Sequence, residues 1–356
     1  LSLPTTMKGV QLTGHGGPEK LLWNDAIPVP RPGPGEALVK VLAAGVNNTD
    51  INTRIGWYSK EISDSTGDVD SNADVDAGGW SGALKFPLIQ GSDVCGEVVS
   101  LGDDVTNVTQ GMRVTCPTNQ PNPTAEAPTC FVAIGSEFDG AFAQYCKIPA
   151  AQLHDVSAAP LTDIEVAALP CAHGTAFNLV SRAGVGPADR VLITGASGGV
   201  GLAAVELAKL KGAHVTGIAS AGKHEAVRTA GADLLLNRDE LPAERSATVA
   251  IDVVGGPGWS GVINALKPGG RYATSGAIAG PVIEADLRTI YLNDLTIFGC
   301  SYTPHEVFAE LVGLINSGCI KPLVSKTYPL AEIATAQLDF AAKKYPGKLV
   351  LVPPQD

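Results

Sequence analysis

The sequence predicts an α/β chain in which an irregular β-rich domain is interrupted by a doubly wound parallel sheet. Three observations lead there. The first part alternates short β-forming runs with Gly/Pro turns, and the middle alternates apolar strands with helical stretches. The end of the chain returns to a single apolar strand, Lys348-Leu349-Val350-Leu351-Val352, of the first kind. The β-rich domain is therefore assigned to residues 1–152 and 304–356, and the inserted α/β domain to 153–303.

In the first part, Ala37–Ala43, Cys95–Val99 and Met112–Thr115 read as strands of a barrel-like domain. A helical stretch runs from Asp163 through Ala168, with Asp163 placed to cap it, and resumes near Thr175 to Ala183. Val191–Thr194 is a buried strand, followed by a helix from Gly199 to Lys211. Val215–Ala219 comes next, then a helix from Lys223 to Ala230. Leu234–Leu236, Val249–Val254, Arg271–Thr274 and Leu295–Phe298 complete the sheet. After Pro304, Val307, Leu311, Leu314 and Ile315 share one face of an amphipathic helix.

Composition narrows the function. Of the 356 residues 45% are hydrophobic and 17% charged, which suits a chain with a large packed interior. A net charge of -11 without a basic patch argues against a nucleic-acid partner, since few phosphates would be neutralised. No apolar run approaches the ~18 residues of a membrane span. The start, Leu1-Ser2-Leu3-Pro4, lacks the shape of a signal peptide. Seven scattered Cys without a CxxC pair suit a reducing compartment, so a cytoplasmic protein is expected.

Ser63 to Gly82 is rich in Asp, Ser and Gly and reads as a mobile excursion. Asp68, Asp70, Asn72, Asp74 and Asp76 alternate as calcium ligands do. However, Ala73 stands where an EF-hand turn needs Gly, and Gly79 where it needs a bidentate Glu. A solvated acidic loop is expected.

The turn Gly195-Ala196-Ser197-Gly198-Gly199-Val200-Gly201 joins a β-branched strand to a helix. In that context its small residues let the backbone approach a pyrophosphate, and the free amides of the helix start face its charge. A nicotinamide dinucleotide is expected there. An NAD site usually carries an acid at the tip of the next strand, for the ribose hydroxyls. This chain has Ala219-Ser220-Ala221-Gly222-Lys223, and Arg238 follows the strand after that. A 2′-phosphate ~5 Å from an acid would lose about 3 kcal/mol per unit charge, and a hydroxyl with two cations reverses that sign. Ser220, Lys223 and Arg238 therefore favour NADP.

The motifs Gly45-Val46-Asn47-Asn48-Thr49-Asp50, Gly91-Ser92-Asp93-Val94-Cys95-Gly96-Glu97-Val98, Gly111-Met112-Arg113-Val114 and the glycine turn are specific together. Along nearly its whole length the chain resembles the medium-chain dehydrogenase/reductase superfamily, most of all its zinc-independent quinone oxidoreductases. The resemblance implies a GroES-like catalytic domain, a Rossmann domain, a homodimer, and NADPH-driven reduction of quinones or activated alkenes. Leu295–Phe298 is the candidate sheet edge for pairing two copies.

Zinc-dependent members carry a Cys where this chain has Asn47 and a His-Glu pair where it has Ser92-Asp93. Only Cys171 matches a ligand position, and one thiol cannot hold catalytic zinc. The four-Cys structural lobe is also missing, with Cys116 and Cys130 alone in that stretch. No metal site is expected. Without one, the chemistry suits an electron-poor alkene or quinone, whose developing charge falls on a carbonyl that needs only hydrogen-bond donors.

By resemblance, Asn47 and the Arg54-x-Gly56-x-Tyr58 segment face the substrate. Asn47 would offer amide hydrogens and Tyr58 a hydrogen bond or a proton, while Asp50 holds the helix start. Thr175 resembles the threonine packed beside the nicotinamide. Val254-Gly255, Ser275-Gly276 and Cys300-Ser301, at later strand ends, would line its ribose and carboxamide. Three rivals stay open: an NADPH-dependent enoyl-thioester reductase, a non-catalytic NADPH-binding redox sensor or interaction protein, and a metal alcohol dehydrogenase.

Overall fold

Buried Ala37, Val39, Val41 and Ala43 alternate along β3 (Glu36–Gly45), the strand around which the first unit is organised. The computed structural model describes residues 3–59, 61–67, 80 and 82–356. The acidic positions 68–76, expected to form a solvated loop, lie outside the described residues. Contacts group the described residues into two units, one within 1–62, 69–171 and 304–356, the other within 63–68 and 172–303.

In the first unit, β1 (Thr6–Leu12) and β2 (Leu21–Pro28) form an antiparallel pair ahead of β3. Helix α1 (Asn48–Ile55) follows β3, and β4 (Cys95–Leu101) and β5 (Arg113–Thr115) continue the sheet. Short β6 (Asn119–Pro121) and β7 (Phe131–Ala133) pair with each other, and β8 (Tyr145–Pro149) returns to β3. β9 (His154–Asp155) pairs with β5 and precedes α2 (Asp163–Val166) and α3 (Pro170–Arg182). The expected cap of α2 lies one residue earlier than Asp163. Thr162 Oγ1 accepts from Glu165 N at 3.2 Å, and the Glu165 carboxylate accepts from Thr162 N at 2.9 Å. Asp163 is occupied otherwise, accepting from Arg113 Nε at 2.8 Å. α3 also begins earlier than expected, because Pro170 has no N–H to waste in a first helical turn.

The second unit is built on six parallel strands. They are β10 (Arg190–Ile193), β11 (His214–Ile218), β12 (Leu234–Leu236), β13 (Ala247–Asp252), β14 (Leu266–Thr274) and β15 (Thr296–Gly299). Their order is β12-β11-β10-β13-β14-β15, with Ile193 registered between Gly217 and Ile251. Connecting helices include α4 (Gly199–Leu210), α5 (His224–Thr229), α6 (Trp259–Asn264) and α7 (Leu287–Tyr291). With helices available to cover the faces, central strands such as β10 and β13 are buried nearly throughout. β13 stops two residues before the sequence suggests. The Asp252 carboxylate captures the Val254 and Gly255 N–H groups that a longer strand would give to its neighbours.

The chain then returns to the first unit through α8 (His305–Asn316), β16 (Val324–Pro329), α9 (Ile333–Ala341) and β17 (Lys348–Val352). β17 docks antiparallel on the end of β3, Leu351 opposite Ala44, and extends its sheet. Leu38, Phe142, Ile148 and Leu351 belong to the core beneath. Among the described residues no helix is long and apolar enough to cross a membrane.

Candidate functional site

Asn47 caps α1, where its backbone N–H donates to Asp50 Oδ2 at 2.8 Å, so Asp50 holds the helix start. The Asn47 side chain is buried and fully engaged. Its amide nitrogen donates to Asp93 Oδ2 at 2.8 Å and Ser92 Oγ at 3.3 Å, and its oxygen accepts from Lys348 Nζ. Lys348, first residue of β17, also donates to Asp93 Oδ2 and to the Val46 carbonyl. The other Asp93 oxygen accepts from Cys171 N at 2.6 Å. A side chain on Gly45 would collide with the Asp93 carboxylate, which fixes glycine at the end of β3.

The amide orientation of Asn47 follows from its neighbours: a lysine ammonium can only donate, while a carboxylate ion accepts. Both Asn47 amide hydrogens are thus spent inside the protein rather than offered to a substrate. Burial, with Asp93 nearby, raises the Asp50 carboxyl to about 7. Burial and Asp93 also push the Cys171 thiol up to about 12.

These residues do not suit a zinc ion. Lys348 takes the Asn47 oxygen and shares Asp93, and Cys171 keeps its proton at neutral pH. Among the described residues no group of three His, Cys, Asp or Glu side chains has the arrangement of a metal site.

Tyr58 lies just beyond the left-handed Gly56 that ends α1. Its hydroxyl donates to Thr49 Oγ1 at 3.0 Å, and Trp80 Nε1 donates to the same oxygen at 3.2 Å. Burial raises the Tyr58 phenol well above its ordinary range, so it stays protonated. A hydroxyl that accepts twice still has its one proton to donate, so the Thr49 proton is not used in either of these bonds. The rings of Tyr58 and Trp80 lie 4.5 Å apart, and Phe131 stands edge-on to Trp80 at 5.6 Å. Arg54 faces inward instead of toward a substrate. It donates through Nε to Gln337 Oε1 at 2.9 Å and through its guanidinium to the Gly16 carbonyl at 2.6 Å.

In the second unit all six strands run parallel, so the segments following them emerge on one edge of the sheet. That edge carries the expected cofactor residues other than Thr175. After β10, Gly195 takes a left-handed conformation and the turn through Ala196, Ser197 and Gly198 leads into α4, whose first residues are Gly199, Val200 and Gly201. A side chain on Gly201 would strike the Gly195 carbonyl, which is why the helix packs this closely on the turn. α4 spans 12 residues, and its leading amides provide the positive end that suits a pyrophosphate.

After β11 come half-buried Ser220 and Lys223; after β12 comes exposed Arg238. Burial and the nearby Arg238 charge lower the Lys223 ammonium, so two cations converge at these tips. Val254 and Gly255 follow β13, Ser275 and Gly276 follow β14, and Cys300 and Ser301 follow β15. Cys300 is buried and burial raises its thiol, which suits packing rather than reaction. Thr175 stands half-buried on α3, apart from this edge in sequence. The second unit fits a dinucleotide: a glycine turn, a helix start and a cationic pair follow adjacent strands.

Comparison with known proteins agrees. The model of the alcohol dehydrogenase GroES-like domain matches residues 33–158, and that of the zinc-binding dehydrogenases matches 199–317. A solved structure from Sinorhizobium meliloti 1021, provisionally described as an alcohol dehydrogenase, shares 38% identity, covering 99% of this chain and 98% of its own, with a TM-score of 0.86. The chain belongs to the medium-chain dehydrogenase/reductase superfamily. It is an oxidoreductase of a nicotinamide-dependent family, with a GroES-like domain and a Rossmann domain.

Acryloyl-coenzyme A reductase of Metallosphaera sedula is 28% identical over 97% of this chain and 99% of its own length. Quinone oxidoreductase of Rattus norvegicus is 26% identical over 97% and 98% respectively. Four residues of the site were missed in the sequence: Thr49, Trp80, Asp252 and Lys348. Lys348 and Asp252 each left a signal there, as a charged residue in an otherwise apolar strand.

Proposed function

We propose that this superfamily member is a zinc-independent, NADPH-dependent oxidoreductase that reduces quinones or activated alkenes such as enones and enals. The observation that carries the reading is the Lys348 ammonium held between Asn47 and Asp93, which leaves the donor cluster no room for a metal cation. A substrate must then be activated by hydrogen bonding, which serves a conjugated carbonyl better than a plain alcohol or ketone. Convergence of Lys223 and Arg238 at strand tips without an acid in the Ala219–Lys223 turn supports NADP over NAD.

Bound NADPH would supply a hydride from its nicotinamide. The residues of the chain divide the remaining work. The glycine turn holds the pyrophosphate, and Ser220, Lys223 and Arg238 hold the 2′-phosphate. Val254, Gly255, Ser275, Gly276, Ser301 and Thr175 contact the nicotinamide half, with Cys300 packed behind. Thr49 donates a hydrogen bond to the acceptor carbonyl, Tyr58 orients the Thr49 hydroxyl through their shared bond, and the proton that completes the reduction comes from water. Asn47 acts from behind by fixing the start of α1.

The Metallosphaera sedula relative favours a second reading, reduction of an enoyl thioester. The functional assay is loss of NADPH absorbance with quinones, enones, enals and an enoyl-coenzyme A thioester, repeated with NADH, together with gain of NADPH absorbance from ethanol plus NADP. Turnover of the first three classes is expected. Thioester turnover alone selects the second reading, and NADPH binding without turnover selects a sensor. Ethanol oxidation that is lost with a chelator would overturn the zinc-free chemistry.

A homodimer in the cytoplasm completes the proposal. β15 is the open edge of its sheet, and Leu287, Tyr291, Leu292 and Ile297 nearby expose large apolar side chains.

A further inference from the structure

Asp252 ends β13 with its carboxylate completely buried. Oδ1 accepts from Thr194 Oγ1 at 2.5 Å, Val254 N at 2.9 Å and Gly255 N at 3.1 Å, while Oδ2 accepts from Tyr272 Oη at 2.7 Å. The Thr194 hydroxyl also accepts from Val253 N at 3.2 Å. Four donors thus surround one carboxylate, and they come from the segments following β10, β13 and the body of β14.

Two of those segments are the walls assigned above to the dinucleotide. Thr194 is the residue before Gly195, where the phosphate turn begins. Val254-Gly255 is the turn after β13, and Gly255 there takes a left-handed conformation. Adjacent parallel strands such as β10 and β13 are ordinarily tied by ladder bonds, which stop where the strands end. Beyond that point the Asp252 carboxylate takes over the tie. Because Oδ1 is common to the Thr194 hydroxyl and both turn amides, a shift of either wall strains the other.

We infer that Asp252 is a positioning residue for the dinucleotide: it sets the spacing between the phosphate turn and the Val254-Gly255 turn without touching the cofactor. The inference rests on the dinucleotide reading of this unit. It assigns the two carboxylate oxygens different duties. Oδ1 serves the cofactor walls, whereas Oδ2 anchors the carboxylate to Tyr272 within the sheet.

The test uses the full chain with three variants, reading NADPH KM, acceptor KM, kcat and thermal unfolding. Asp252→Ala is expected to raise the NADPH KM by about tenfold or more, the scale of losing hydrogen bonds to a charged acceptor. The acceptor KM and saturated kcat should stay within about threefold, since chemistry is left intact. Asp252→Asn keeps an oxygen for the two amides and should recover most of the NADPH affinity. Tyr272→Phe removes only the Oδ2 partner and should lower the melting temperature with little change in NADPH KM.

If Asp252→Ala does not fold, Asp252→Asn and Thr194→Val carry the test, with Thr194→Val expected to raise the NADPH KM alone. An Asp252→Ala enzyme that loses stability but keeps its NADPH KM overturns the inference. So does a Thr194→Val enzyme with an unchanged NADPH KM. Failure of the unaltered protein to bind or oxidise NADPH would instead overturn the functional reading beneath it.

Discussion

Lys348 Nζ lies 2.8 Å from Asp93 Oδ2, with 3% and 0% of the two side chains exposed. Removing one partner of such a pair strands a buried charge, at a cost of about 3–5 kcal/mol. Lys348→Met is therefore expected to melt about 5 °C below the unaltered protein. Adding Asp93→Asn removes the stranded charge and should recover part of the loss. Thermal unfolding of the two variants checks this, and melting of Lys348→Met near the unaltered value would refute it.

The cationic pair after β11 and β12 makes a prediction about cofactor choice. Lys223→Glu reverses one charge at the site proposed for the 2′-phosphate and should lower the NADPH-over-NADH ratio of kcat/KM by about 100-fold. Arg238→Ala should lower it less, because Arg238 is the more exposed of the two. Equal ratios in all three proteins would mean that the phosphate binds elsewhere.

Thr49 and Tyr58 separate by the size of their effects. Thr49→Val removes the hydroxyl proposed to bond the acceptor carbonyl and is expected to cost about 100-fold in kcat. Tyr58→Phe leaves that hydroxyl in place and should cost under about tenfold. Steady-state rates with one enone decide the order, and a larger loss in Tyr58→Phe would place the phenol itself at the substrate.

Asp50 predicts a pH effect. Its carboxyl is raised from near 4 to about 7, so the folded protein holds this proton more tightly than the unfolded chain. The resulting stabilisation is complete below about pH 4 and is lost as the pH climbs through 7. Asp50→Asn cannot ionise. Its melting temperature relative to the unaltered protein should therefore rise by several degrees between pH 5.5 and pH 8. A difference that stays constant across that range would show that Asp50 titrates normally.

The sheet edge predicts the oligomer. Ile297→Lys, on exposed β15, should convert a dimer to a monomer in light scattering while the melting of each subunit changes little. A monomeric unaltered protein would remove the dimer from the proposal.

Much of this architecture was legible in the sequence for a physical reason. A parallel strand buried on both faces writes itself as an apolar run, and a glycine turn into a helix writes itself in residue type. The six strands and the turn expected to hold the phosphates follow from those two patterns, whereas the order of the strands came only with the fold. Asn47 shows what sequence could not reveal. Its identity excluded a thiolate ligand, yet only the folded chain shows that both its amide hydrogens are taken by Ser92 and Asp93. The partners that decide its role come from 45, 46 and 301 positions away. Asp252 showed in the sequence only as a charge inside the apolar run Val249–Val254, and its four donors converge only once three strands align. The early start of α3 and the Thr162 cap are smaller lessons, settled by competition between adjacent residues for one role.

The parallel sheet has one more consequence, for how such a protein changes over generations. Ser220, Lys223 and Arg238 sit beyond the ends of β11 and β12, outside the packed interior. On the NADP reading proposed above, replacing them is expected to alter which reduced dinucleotide is drawn upon while leaving the packed sheet as it is. A lineage could then move between the reducing pools of its cell by single steps, while Asp252 and the glycine turn stay as they are.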